Sequence, residues 1–146
     1  MKTKKVLAVA SKGGHLIQLM RLKPVLDRYD TTYVSNQKLS AVPAFVKVTD
    51  ANLDSKPRLL LLFLQLLMLH LRVRPDVVIS TGAAPGFFAL VIGKCLGSRT
   101  IWLDSIANAE ELSLSGRKVR RYADLWLTQW QDLVTEDGPE FKGRVL

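Results

Sequence analysis

The chain has almost none of the residues that staple small folds covalently or through metal. One cysteine, Cys95, stands in 146 residues. An internal disulfide and a Cys-based zinc cluster are therefore both excluded, and no metal set is read from the sequence. Cys95, set among Ile92, Gly93 and Leu96, reads as a small buried hydrophobe. Aromatics make up only 8% of the chain and do not interleave with the basic residues. With no recognised nucleic-acid motif, nucleic acid is not an expected partner. The first glycine turn lacks the Gly-x-Gly-x-x-Gly spacing, and no Walker-type Gly-Lys-Ser/Thr follows a strand. A stand-alone nucleotide-binding enzyme is thus the least supported class, and no cofactor is implied. No apolar run is long enough to cross a bilayer. Nothing resembles a signal peptide, because the run after the basic Met1–Lys5 is short and soon meets Lys12 and His15. Cytoplasmic exposure is the resulting expectation.

What is present is a folding chain. Hydrophobic residues reach 48% and charged residues 23%, the balance of a globular protein with a real core, read as one domain over residues 1–146. The net charge is +8 and it is uneven: thirteen Lys/Arg face four Asp/Glu up to Arg74, and eight face nine beyond it. A basic half points to an anionic partner, either a membrane surface or a phosphorylated substrate.

The most informative stretch is Val6–His15. Val6 to Val9 is an unbroken apolar run, the pattern of a buried parallel strand. Ser11, Gly13 and Gly14 allow a tight turn, and Leu16, Leu19, Met20, Leu22 and Leu26 follow at helical spacing. A glycine turn between strand and helix exposes backbone N–H groups and a positive dipole end, a seat for phosphate. Steric need for glycine in a compact turn explains the same residues equally well. Thr31–Ser35 then reads as a second strand, Phe45–Val48 as a short third, and Thr49–Ser55 as a solvated connection.

Leu59–Leu71 is almost purely apolar, interrupted only by Gln65 and His70. Lys56 and Arg58 precede it; Arg72 and Arg74 follow it. Pro57 suits the first turn of a helix and Pro75 ends it. At ~1.5 Å per residue the run spans ~20 Å, short of the ~30 Å hydrocarbon core. One face is expected against the sheet. The other meets lipid or a partner, with Leu59, Leu60, Phe63 and Leu67 at the contact and Arg58, Arg72 and Arg74 near anionic head groups. Complete burial in the core is the competing expectation.

A second strand, small-residue turn and helix follows: Val77–Ser80, then Thr81–Gly86 with Gly82 and Gly86, then Phe87–Leu96 stopped by Gly97. Thr100–Leu103 is the next strand and ends at Asp104. The whole is α/β: a Rossmann-like, mostly parallel sheet with helices on both faces. Both glycine turns and Asp104 then fall beyond the carboxyl ends of the strands, where such sheets bind ligands. Asp104–Arg117 is polar and irregular, a functional loop in which Asp104, Asn108 and Glu110 either orient sugar hydroxyls or cap a helix. Arg117, Lys118, Arg120 and Arg121 read as a solvated face. Leu125–Thr128 is the last expected strand. Trp102, Trp126 and Trp130 read as packing residues, and the tail ending Val145-Leu146 as a segment able to dock on another chain.

Four segments together, Ala10–Leu16, Ser80–Gly86, Ile101–Arg117 and Ala123–Trp130, resemble the membrane-associating subunit of the two-component UDP-N-acetylglucosamine transferase of asparagine-linked oligosaccharide assembly. The resemblance extends to its bacterial branch, which serves capsule and exopolysaccharide synthesis. It covers nearly the whole chain and is most specific in the Asp104–Arg117 block. Lys12 replaces a usually small residue, Gln18 stands where an acid is often found, and Gln131 where proline is common. The resemblance implies the acceptor-binding N-terminal half of a glycosyltransferase-B enzyme, active only with a separate chain that holds the UDP-sugar. The implied acceptor is a polyprenyl-diphosphate-linked sugar at the cytoplasmic face of the membrane, with peripheral attachment.

On that resemblance His15 is the candidate catalytic base, since imidazole changes charge near neutrality; a hydrogen bond from His15 to phosphate is the other role open to it. Lys12, Gly13, Gly14, Gly82 and Gly86 would hold the diphosphate, and Asp104, Asn108 and Glu110 the sugar. A non-catalytic scaffold that only recruits and stabilises the partner is the alternative. It needs the Leu59–Leu71 helix and not the glycine loops.

Overall fold

The computed structural model describes residues 3–52 and 54–145. Met1 and Lys2 of the basic start, Leu53 of the 49–55 connection and Leu146 of the tail lie outside the described residues. Seven strands form one parallel sheet, ordered β3-β2-β1-β4-β5-β6-β7. They are β1 (Lys5–Ala10), β2 (Asp30–Ser35), β3 (Phe45–Lys47), β4 (Val77–Gly82), β5 (Arg99–Leu103), β6 (Leu125–Thr128) and β7 (Glu140–Phe141). β7, paired to β6 through Leu127↔Glu140 and Thr128↔Phe141, corrects the expectation that Leu125–Thr128 is the last strand. Its two residues carry too little alternation to be read as a strand.

The β1 run is apolar because both of its faces are covered. Val6, Ala8 and Ala10 face a core with Leu16, Leu19, Leu26 and Tyr33. Leu7 and Val9 face a second core with Leu62, Leu66, Leu90 and Trp102. The first core lies under helix α1 (Gly14–Arg21) and the one-turn helix α2 (Lys23–Leu26). The expected single helix is broken at Leu22, since Pro24 has no N–H to continue the ladder. The second core lies under α3 (Lys56–Val73) and α4 (Ala83–Cys95), with Val119 joining it just after the short α5 (Leu114–Lys118).

Helix α3 has Pro57 in its first turn and ends at Arg74, whose φ of 52° is left-handed. Leu62, Leu66 and Leu69 are buried, but Leu60, Leu61, Leu64, Met68 and Leu71 on the opposite side are exposed, so the helix is not wholly buried in the core. The expected contact set is corrected in the same way. Leu60 faces outward, but Phe63 and Leu67 pack on the core and Leu59 is half-buried. Burial pulls the pKa of His70 below its ordinary value, against carbonyl oxygens of Leu66 and Ala89 that favour the charged ring.

Helix α4 begins four residues earlier than expected and lies flush on the sheet. A Cβ on Gly86 would come within 1.8 Å of Ser80 Oγ, and one on Gly93 within 2.8 Å of Val78 Cγ2. Gly97, at φ 89°, follows the helix as its stop. Cys95 is exposed rather than buried, because it lies on the side of α4 away from its buried face of Gly86, Ala89, Leu90 and Gly93.

Gly86→Ala should lower the free energy of unfolding by about 2 kcal/mol through overpacking between α4 and β4. A urea denaturation series measures it. An unchanged midpoint would mean that α4 lifts from the sheet at no cost.

Candidate functional site

β1 and β4 are neighbours, and their register brings Ala10 opposite Gly82 with an irregularity after Val9. The chain leaves β1 for α1 on one face of the sheet and leaves β4 for α4 on the other. Their carboxyl ends therefore form the topological switch point, where α/β sheets open a crevice for ligands. Two helix N-termini start side by side there. Neither has a side-chain cap, and neither carries an acidic residue in its first turn. Gly13 precedes α1 with φ 86° and has no atom within 4 Å of its Cβ position; Gly14 is equally open. Ala83, the first residue of α4, holds a φ of 67°, which a non-glycine residue adopts only at a cost.

His15 spans the switch point. Its Nδ1 lies 3.1 Å from the carbonyl oxygen of Thr81, and the Thr81 hydroxyl donates back to the His15 carbonyl. A carbonyl only accepts, so Nδ1 carries the hydrogen and Nε2 of the neutral ring keeps its lone pair. Nε2 has no hydrogen-bond partner among the described residues and is not enclosed. Gly82 lies under the ring: a Cβ there would sit 2.2 Å from His15 Nδ1, and its φ is 146°. Gly82 is thus buried beneath His15 and makes room for it.

Three expected phosphate contacts are placed differently: Gly82, buried beneath His15, donates its backbone N–H to Ser80 Oγ at 3.1 Å. Gly86 lies inside α4, buried against Ser80 and Trp102, so close packing accounts for it and its Cα does not line the opening. Lys12 is exposed, and its Nζ pairs with Asp50 at 2.8 Å. Its backbone N–H donates to Asn36 Oδ1 at 2.7 Å, and Asn36 Nδ2 donates to Asp50 Oδ1 at 2.9 Å. The Lys12 amine bonded to Asp50 is the main reason its carboxyl titrates below the usual range. This polar trio rims the opening on the β2–β3 side.

The expected sugar-binding set is only partly assembled. Asp104 is 1% exposed. Its carboxylate accepts from Trp102 Nε1 at 3.1 Å, Ser113 N at 3.0 Å and Ser113 Oγ at 2.6 Å. Asn108 is half-buried and turns its Nδ2 toward Asp104 at 3.4 Å. Glu110 is exposed and makes no side-chain hydrogen bond to either of them. Asp104 therefore fastens the 105–113 loop from within. The cap it supports is Ser113 of α5, whose hydroxyl accepts from Gly116 N at 2.8 Å.

Gln18 and Gln129 were invisible as functional residues in the sequence, yet both are buried. Gln18 Nε2 donates to Ser105 Oγ at 3.1 Å, and its Oε1 accepts from Ile106 N at 3.2 Å and from Gln129 Nε2. Gln129 Nε2 also reaches the Asp104 carbonyl at 3.0 Å, and its Oε1 accepts from Val145 N at 2.7 Å. The tail is therefore folded back: Arg144 Nε donates to the Gln129 carbonyl and its guanidinium stacks 4.5 Å from the centre of the Trp130 ring. The one sequence signal was Gln18 standing where an acid is often found. Trp102 is buried, and Trp126 and Trp130 are half-buried, consistent with packing. Arg117, Lys118, Arg120 and Arg121 are exposed, as a solvated face requires.

Comparison with known proteins places this geometry in context. A family model described as "Oligosaccharide biosynthesis protein Alg14 like" matches residues 25–145. "UDP-N-acetylglucosamine transferase subunit alg14" of Schizosaccharomyces pombe is 34% identical over 67 residues, covering 42% of this chain and 32% of its own length. The Candida albicans subunit of the same description is 24% identical over 152 aligned residues, 85% of this chain and 69% of its own length. The fold matches Acinetobacter baumannii MurG with a TM-score of 0.77 at 12% identity, over 95% of this chain and 45% of that one. It matches Neisseria meningitidis UDP-GlcNAc 2-epimerase at 0.66 and 12% identity, over 88% of this chain and 41% of that one. The chain thus spans about a third of one curated relative and under half of each solved structure. The structural likeness bears out the expected Rossmann-like half of a glycosyltransferase-B enzyme as a fold.

Asp104→Ala leaves the indole N–H and two Ser113 donors without their partner, and each buried orphan costs about 1–3 kcal/mol. The variant should lose several-fold protection of residues 105–113 in amide exchange before the sheet itself exchanges. Wild-type protection there would remove Asp104 as the fastening of that loop.

Proposed function

Because the chain belongs to the family of Alg14-like oligosaccharide biosynthesis proteins, we propose that it is the acceptor-binding subunit of a two-chain, inverting UDP-glycosyltransferase. Its partner, a separate chain, holds the UDP-sugar, as N-acetylglucosamine or a related hexose. The acceptor is a polyprenyl-diphosphate-linked sugar, and the product serves capsule or exopolysaccharide assembly. The observation that carries this is the pair of uncapped helix N-termini at the β1/β4 switch point with the bare Nε2 of His15 between them.

The chemistry follows from those groups. Amides of the Gly13–Gly14 turn and of the α4 start stabilise a diphosphate through hydrogen bonds and the dipole ends. The acceptor hydroxyl attacks the anomeric carbon of the UDP-sugar, its proton passes to His15 Nε2, and the bond from that carbon to the diphosphate of UDP breaks. The Thr81 carbonyl keeps the ring in the tautomer that can accept. Asn108 and Glu110, on the 105–113 loop, orient the sugar hydroxyls, and Lys12 is paired with Asp50 across the turn after β1.

Helix α3 supplies the attachment. Among the described residues no helix is long and apolar enough to cross a membrane. Leu60 and Met68 are each 61% exposed, and with Leu61, Leu64 and Leu71 they form one outer stripe. Lys56 and Arg58 at one end, and Arg72 and Arg74 at the other, are exposed cations. An apolar stripe between cations suits a helix lying in an anionic interface, here the cytoplasmic leaflet.

His15→Ala, co-expressed with the UDP-sugar-binding partner, should lower transfer at least 100-fold, the typical contribution of a general base, with the complex intact in size-exclusion chromatography. Unaltered turnover would leave the chain as a scaffold. Replacing Leu64 and Met68 by Gln should weaken binding to anionic vesicles about tenfold or more without lowering the melting temperature, and equal flotation would remove α3 from the membrane contact.

A further inference from the structure

Between α3, α4 and α5 lies an apolar cavity of about 300 Å³, at the lower end of the range for small-molecule sites. Its walls include Leu59, Ala84, Phe87, Phe88 and Leu114, with Ser115 and Lys118 also lining it. The walls are preformed. Phe88 is held edge-on by Phe63 with ring centres 5.6 Å apart, and Phe87 edge-on by Tyr122 at 6.0 Å. Lys118 is exposed and makes no ion pair among the described residues.

The position of the cavity matters as much as its lining. Ala83 and Ala84 belong both to its wall and to the first turn of α4, directly after Gly82 under the His15 ring. At its other side Leu59 adjoins Leu60 and Leu61 of the exposed α3 stripe. Three environments therefore follow one another: helix-terminal amides with a cation, an apolar recess, and an apolar outer stripe. A helix is 10–12 Å across with its side chains, too wide for a recess of this volume, whereas a flexible hydrocarbon chain fits.

We propose that this cavity holds the first isoprene units of the lipid-linked diphosphate, those next to its phosphates, while the remainder of the chain stays in the bilayer under α3. The subsite rests on the acceptor-binding reading above and adds to it a route for the lipid. It places the diphosphate at the α4 N-terminus, with Lys118 beside it and the acceptor sugar toward His15. The charge sequence of the protein matches that of the ligand: cation against phosphate, and apolar wall against the prenyl chain.

Calorimetry of the full chain without vesicles tests it with three probes: farnesyl diphosphate, farnesol and inorganic pyrophosphate. Farnesyl diphosphate should bind at least tenfold more tightly than pyrophosphate. Ser115→Phe, which fills the recess from α5, should abolish that difference and leave pyrophosphate unchanged. Leu114→Gln, at a half-exposed rim position, should do the same and serves where the larger side chain unfolds the protein. Lys118→Gln should weaken both diphosphates about threefold and farnesol not at all. If pyrophosphate binds and the prenyl chain adds nothing, the subsite falls while diphosphate binding stands. If farnesol binds as tightly as farnesyl diphosphate, or no probe binds, the diphosphate seat itself is refuted. Loss of vesicle binding by Ser115→Phe with farnesyl diphosphate affinity unchanged would make the recess part of the membrane contact and overturn the proposal.

Discussion

The structure depends on the junction between β1 and β4. Two parallel strands lie side by side, and their connections leave on opposite faces. That geometry alone brings two helix N-termini to one point and leaves their first amides without intrahelical partners. The imidazole of His15 fills the space between them, clamped to Thr81 by two hydrogen bonds. Only a residue without a side chain fits beneath that ring, which is the physical reason for Gly82. The strained φ of Ala83 follows from the same crowding: the chain must turn into α4 immediately after passing under His15.

The surroundings keep that junction rigid. Gly86 and Gly93 let α4 approach the sheet closely, so its N-terminus cannot shift without overpacking against Ser80 and Val78. On the β5 side, Asp104, Gln18 and Gln129 connect strand ends, helix α1, the 105–113 loop and the C-terminal tail in one buried polar network. Such a network holds a single arrangement because each donor is costly to orphan in a low-dielectric interior. The loop is polar and irregular in sequence, but it is fastened at several points.

Helix α3 shows the opposite economy. Its inner face contributes Leu62, Leu66 and Leu69 to the core, and its outer face leaves five large apolar side chains in water. Contiguous exposed apolar surface of that kind marks a contact surface. The stripe starts near the carboxyl ends of the strands, because α3 follows β3, and runs back to the opposite edge of the sheet, where Asp76 N donates to the Lys5 carbonyl.

The sequence by itself determined the periodic elements and their order. Unbroken apolar runs identify the buried parallel strands, glycine and proline mark their ends, and strand-to-helix alternation fixes the α/β class. These signals are local, so they survive without coordinates. His15 beside a glycine turn was legible for the same reason. Tertiary structure decided what depends on distance across the chain. It assigned Gly86 to close packing and Asp104 to an interior fastening, and it made Gln18 and Gln129 partners 111 positions apart. It also chose which leucines of α3 face outward, since a helix apolar on every side carries no periodicity to choose for it. Side-chain type and spacing say what a residue can do; only the fold sets which atoms are near enough, and dry enough, for it to do so.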